Sequence, residues 1–143
     1  MKKVVLSIVL TLAIMGGTLA FASELVSRSN NSATAYSFTF TPELSTNEYT
    51  DVRHKEDASS AYMKLERRSR AQEFTASVVD ANNGNFSQTW FVVIRTVGAE
   101  YFIPNTAYED QGYGVNVKIR AHTGDLFGFD ASGVWSPDSV RYK

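Results

Sequence analysis

Between Tyr113 and Ala121 every second residue is apolar: Tyr113, Val115, Val117, Ile119 and Ala121 alternate with Gly114, Asn116, Lys118 and Arg120. A two-residue period sends successive side chains to opposite faces of an extended strand, so one face meets a core and the other meets water. The same period runs through Tyr36, Phe38 and Phe40, with Ser37, Thr39 and Thr41 between them and Pro42 as a stop. No long 3.6-residue apolar repeat supplies crossover helices, which argues against an α/β layout. The expected fold is therefore all-β: an antiparallel β-sandwich, immunoglobulin-like or jelly-roll-like.

Other segments add to this expectation. Phe74, Ala76 and Val78 alternate with Thr75 and Ser77, the turn formers Asp80-Ala81-Asn82-Asn83-Gly84-Asn85 follow, and a run from Phe86 to Val97 returns, which reads as a β-hairpin. In the second arm Trp90, Val92 and Ile94 fall on one side and Phe91 and Val93 on the other. That arm is expected to be covered on both faces and to lie centrally. Residues 60–67 carry good helix formers, yet Met63 and Leu65 alternate with polar neighbours, and the β-rich surroundings favour strand. Residues 43–60 read as a long connection with a short edge strand around Tyr49 to Arg53. Leu126 to Phe129 reads as a last short strand, followed by Ala131-Ser132-Gly133 and a terminal segment from Val134 to Asp138.

The N-terminus has the pattern of an export signal. Lys2 and Lys3 precede an apolar stretch from Val4 to Ile14, Gly16 and Gly17 follow, and Ala20-Phe21-Ala22 offers a small-residue cleavage site. The stretch is shorter than the roughly 20 residues needed to span a bilayer, so no membrane span is expected after processing. The chain divides into a signal peptide (1–22), a flexible polar leader (23–34) and a single β-sandwich domain (35–143), and the expected location is secreted, or extracellular. A domain of that length buries enough surface to need no covalent or metal staple.

Composition removes several functions. With no cysteine, the chain can hold neither a disulfide scaffold nor a thiolate metal site, and it has no catalytic thiol or lipid-modified cysteine. An exported domain without disulfides fits a bacterial source. Without Lys2 and Lys3, 12 basic residues face 15 acidic ones, a poor balance for nucleic acid. The cationic run Arg67-Arg68-Ser69-Arg70 is flanked by Glu66 and Glu73 and reads as a solvated face.

His54 and His122 fall in turn-like segments without helical zinc-ligand spacing, and no Gly-x-Ser-x-Gly elbow is present. Glu100, Glu109 and Asp110 are the carboxylates nearest the aromatic residues, but they read better as loop residues that keep a sheet edge soluble. Two loops offer oxygen ligands of the kind calcium takes, Asp80, Asn82 and Asn85 in one and Asp125, Asp130 and Asp138 in the other. Their spacing is not that of an EF-hand, and such clusters are ordinary turn chemistry, so no cofactor or catalytic residue is expected. Aromatics make up 13% of the chain, and three near turns, Tyr101, Tyr108 and Trp135, are together with Glu109 the residues expected to meet a ligand.

The segments Asp57-Ala58-Ser59-Ser60-Ala61-Tyr62-Met63-Lys64 and Gly133-Val134-Trp135-Ser136-Pro137-Asp138-Ser139, with Tyr101-x-Ile103-x-Asn105 and Tyr108-Glu109, resemble a family of small secreted proteins of unknown function from Gram-positive bacteria of the Bacillus and Clostridium type. In size and export the chain is also similar to lactococcin 972-like bacteriocins. The resemblance implies a secretory signal, a compact domain and no assigned activity. The leading expectation is a non-enzymatic binding or interaction protein whose partner is a cell-wall component or another envelope protein. Behind it stand a bacteriocin-like toxin or its partner, and a small carbohydrate-active enzyme using Glu100 or Glu109.

Overall fold

The computed structural model describes residues 29–43 and 45–140. The expected signal peptide and the first part of the expected leader lie outside the described residues. Along the chain run β1 (Thr34–Phe40), β2 (Thr46–Tyr49), β3 (Arg53–Lys55), β4 (Ala61–Arg68), β5 (Phe74–Asp80), β6 (Val92–Ile94), β7 (Glu100–Ile103), helix α1 (Ala107–Gln111), β8 (Val115–Thr123) and β9 (Phe129–Ser136). They form two antiparallel sheets, one in the order β1-β9-β4-β7 and the other in the order β2-β8-β5-β6, with β3 also paired to β8.

The pairing is nested. β5 joins β6, β4 joins β7, β2 joins β8 and β1 joins β9, so the chain is one long antiparallel ribbon whose tip is the β5–β6 hairpin. Rolling it up brings β4 beside β9 and β5 beside β8. With β2 and β3 acting as one arm along β8, the two sheets hold four arms each in the order of a jelly roll, which decides between the two sandwich forms expected from the sequence. At one end all four connections, β1–β2, β4–β5, β6–β7 and β8–β9, cross from one sheet to the other.

The inward faces follow the two-residue period. Phe38, Phe40, Met63, Leu65, Ile103 and Trp135 from the first sheet meet Phe74, Val78, Ile94, Val117 and Ile119 from the second. An aromatic stack, Phe38–Phe74 edge-on at 5.8 Å and Phe40–Phe129 at 4.8 Å, fills the space between them. At Leu65–Arg67 the β4–β9 register shifts. The Lys64 carbonyl there accepts a hydrogen bond from the Tyr36 hydroxyl (3.2 Å) and crowds Gly133 so closely that a Cβ at that position would collide with it. Glycine is the residue that lets β9 pass this bulge.

Several expectations are corrected. The second hairpin arm is a three-residue edge strand, and Trp90 (40% exposed) and Phe91 (59%) are open to solvent, because segment 86–91 leaves the sheet to bond with residues 105–110. Residues 43–60 hold two short strands, with Thr50 to Val52 between them. The strictly alternating strand starts at Val115, since Gly112 and Gly114 adopt positive φ (83° and 81°) and turn Tyr113 outward. His54 and His122 lie in β3 and β8 and not in turns. Residues 107–111 form a short helix whose Ala107 joins the core. The expected last short strand and terminal segment are one eight-residue strand, β9, in the middle of the first sheet. Residues 61–68 are strand, as preferred.

Candidate functional site

Two arrangements of polar side chains stand out. The first is buried where β3 and the C-terminal segment meet. Lys55 and Asp138 are both fully buried and pair at 2.9 Å. The Lys55 ammonium also donates to the carbonyls of Ser59 and of Pro137 (2.8 Å), so all three of its protons are used. The Asp138 carboxylate accepts the backbone amides of Glu56 (2.9 Å), Asn30 (2.8 Å) and Asp57 (3.4 Å). Arg53 stands alongside, its guanidinium 5.6 Å from the Trp135 ring and bonded to Asn30, Ser32 and the Trp135 carbonyl. Burial lowers the Arg53 pKa from its usual value, and the Asp138 charge works against that. Asn30 and Ser32, from the segment expected as a loose leader, are thus bonded to the domain. The Lys55 ammonium and the Asp138 carboxylate are both saturated by partners within the protein, so this clasp first of all holds the fold.

The second arrangement lies on the outward face of the second sheet. Lys118, Arg120 and His122 stand on the polar side of β8, and at a rise of about 3.3 Å per residue successive side chains leave the backbone roughly 6.6 Å apart. Tyr49 of β2 is directly opposite Arg120, Ser77 of β5 flanks it on the other side, and continuing the β5–β6 register by one residue puts Phe91 beside Ser77. One row therefore crosses four strands as Phe91, Ser77, Arg120, Tyr49. Arg120 reaches over Ser77 to lie 5.7 Å from the Phe91 ring and donates to Asn85 (3.0 Å), while the Lys118 ammonium sits 4.6 Å from the Tyr49 ring. Ser77 and Val79 are buried although they face outward, and over Ser77 it is the Arg120 side chain that lies across on its way to Phe91. Among the described residues neither Lys118 nor Arg120 makes an ion pair within 4.0 Å. Asp51 is the exposed acid next along from Tyr49, and the Asp80 carboxylate is taken by the amides of Asn82 and Gly84, each at 2.8 Å.

The residues singled out from the sequence do not converge. Trp135 is 1% exposed and belongs to the core. Tyr101 opposes Met63 across the β4–β7 ladder, and its hydroxyl accepts the amides of Arg95 (3.1 Å) and Thr96 (2.8 Å). Burial alone would raise that phenol's pKa, but these hydrogen bonds outweigh it and hold the group below its usual value. Tyr108 and Glu109 lie on α1, beyond the far end of β7 from Glu100. Asp110 turns to Ser87, whose hydroxyl and amide (both 2.6 Å) hold it below the usual carboxylate range.

Asp125 and Asp130 sit near the start of β9 and Asp138 past its end, eight residues of extended chain away, so those three do not meet. Among the described residues no group of three or more His, Asp or Glu is placed to hold a metal ion. A hollow of about 360 Å³ lies beside the clasp on the first sheet, walled by Tyr62, Phe102 and Glu100, with the two rings 5.8 Å apart.

The motif segments quoted above contribute Asp57 and Ser59 from one side and Ser136 to Ser139, Asp138 included, from the other, while Lys55 lies two residues before the first of them. A family model for proteins of unknown function, DUF2712, matches residues 18–139. The chain belongs to the DUF2712 family. No curated protein and no solved structure matches it. In this DUF2712 member the clasp residues missed from sequence, Lys55 above all, gave no signal, because a lysine in a Lys-Glu-Asp run reads as solvated. The Lys118, Arg120, His122 row did give one: it is the polar half of the alternation that identified β8. No described helix is long and apolar enough to cross a membrane.

Proposed function

We propose that this DUF2712 chain is an exported, non-enzymatic binding protein of the envelope or surrounding medium of a Gram-positive bacterium, and that it meets its partner through the outward face of the second sheet. The observation that carries this reading is the paired placement of Lys118 on Tyr49 and Arg120 on Phe91. Two cations are held at fixed positions against rings on a sheet, without an acid neutralising them. Rigid aromatic and arginine groups of this kind dominate the energetics of known protein contacts. The export signal read from residues 1–22 supports the location.

The test is retention of the processed domain, residues 23–143, on immobilised wall polymers and on purified envelope proteins. Retention that K118Q/R120Q abolishes is the expected result. No retention on any of these surfaces overturns the reading.

A further inference from the structure

We infer that the outward face of the second sheet is a docking surface for an anionic polysaccharide, a chain that alternates sugar rings with carboxylate, phosphate or sulfate groups. The inference deepens the binding role proposed above and rests on it.

Charge complementarity is the first argument. The chain as a whole carries a formal charge of −1, yet β8 presents Lys118 and Arg120 on one face, with Asp51 as the exposed acid beside them. Lys118 turns toward Tyr49 on the β2 side of β8 and Arg120 toward Phe91 on the β6 side, so the two charges are spread across the sheet and match a polymer that carries several anions better than a single small anion, which would occupy one head and leave the other unsatisfied.

The second argument is the rings. Tyr49 and Phe91 end a row that crosses four strands, each with a cation against it, and Phe91 is 59% exposed. An aromatic face beside a cation stacks on the apolar side of a sugar while the cation takes the neighbouring anion. His122, bonded to Asn47 (2.9 Å), and the exposed Asn116 extend the row along β8 with further hydrogen-bonding groups. Thr75 and Asn47 flank His122 on the two neighbouring strands and add hydroxyl and amide groups beside the row. A protein partner of this area would instead call for an apolar centre.

The experiment uses the processed domain and three probes: heparin as the anionic polysaccharide, dextran as a neutral one, and inorganic polyphosphate as an anion without sugar rings. Trp90, 40% exposed and one residue from Phe91, serves as the fluorescent reporter, since the other tryptophan is buried. Heparin should bind in low salt, weaken at least tenfold between about 0.05 and 0.5 M NaCl, and exceed dextran at least tenfold. K118Q/R120Q should lower heparin affinity tenfold or more, whereas R67Q/R70Q, on the loop end of the sandwich, should leave it within twofold. Y49A/F91A should weaken heparin several-fold and leave polyphosphate within twofold. Far-ultraviolet circular dichroism of each variant confirms the fold, and Y49F, which keeps the ring, should bind like the parent.

Equal losses for K118Q/R120Q and R67Q/R70Q, equal binding of dextran, or binding to phosphatidylglycerol vesicles in place of heparin each overturn the inference. If heparin fails while envelope proteins are still retained, this inference falls and the binding role stands. Failure of both removes both.

Discussion

Replacing Lys55 by methionine should cost this domain a large part of its stability. Methionine keeps the buried aliphatic stem and removes the ammonium, so the change isolates the charge. What stays behind is the Asp138 carboxylate, fully buried and facing three amides, together with the carbonyls of Ser59 and Pro137 that lose their donor. Removing one partner of a buried ion pair costs about 3–5 kcal/mol, against a net stability of about 5–15 kcal/mol for a domain. At about 4 °C per kcal/mol the midpoint of thermal unfolding should fall by about 12–20 °C.

Asp138→Asn should cost a similar amount, because the ammonium is then the uncompensated charge. The double variant K55M/D138N carries no buried charge, and its asparagine oxygen still accepts amides. It should be at least 2 kcal/mol more stable than the sum of the single losses implies. Urea unfolding followed by Trp135 fluorescence, with the slope checked for constancy, measures all four proteins. A K55M loss below about 1 kcal/mol, or additivity of the two singles, would refute the argument that this pair is a buried and mutually compensating unit.

Further outcomes follow from individual residues. Gly133→Ala forces a Cβ against the Lys64 carbonyl at the bulge and should cost 3 kcal/mol or more, at the upper limit of overpacking effects, or block folding, as read by urea unfolding. Burial, helped by the charges of Glu66 and Tyr101, pushes the Tyr36 phenol well above its usual value. Its contribution is therefore intact below about pH 10, the unfolded value, and is lost as the pH rises beyond it; Tyr36→Phe should flatten that alkaline limb of the stability profile. Burial raises the Asp57 carboxyl, but hydrogen bonds from Ser59 and the Lys55 charge outweigh it and leave the group below its ordinary range. That contribution is present above about pH 4 and disappears as the pH falls through the lowered value, so Asp57→Asn should flatten the acid limb. The buried Ser77 hydroxyl has no hydrogen-bond partner among the described residues, so Ser77→Ala should be neutral or stabilising by up to about 1 kcal/mol in the same urea assay.

The parts of the fold that could be read from the chain are those where one face of a strand is covered and the other is wet. β1, β5 and β8 have that geometry, and their alternation states it directly. The expectation for residues 86–97 failed for a related reason: a run apolar on both sides has the pattern of a central strand, but Trp90 and Phe91 spend that apolar surface at the sheet margin and beside Arg120. Periodicity reports how side chains divide between two sides, and it is silent on what lies at either side. β9 was cut short because Gly133 and the small residues around it look like a turn, whereas the glycine is there to admit the β4 bulge, a neighbour 68 positions away in sequence. The clasp was illegible for the same cause. Nothing local distinguishes Lys55 from a surface lysine, since the carboxylate that makes its burial tolerable arrives 83 residues later.

That long-range arrival also explains how the two polar arrangements divide their roles. In a rolled ribbon the last strand is inserted between β1 and β4, so the first sheet is continuous only once β9 is in place. Asp138 follows β9 by two residues and closes on β3 of the other sheet and on Asn30 at the opposite end of the ribbon. A single carboxylate thereby fastens three segments that are remote in sequence, and the local cost of burying it is returned as a fold that forms or fails as a unit. On the second sheet Lys118 and Arg120 rest on rings, and no acid pairs with them among the described residues. Their heads stay at the surface while Lys55 and Asp138 are sealed beneath it, which is why that face, and not the more densely hydrogen-bonded clasp, is where a partner is to be sought.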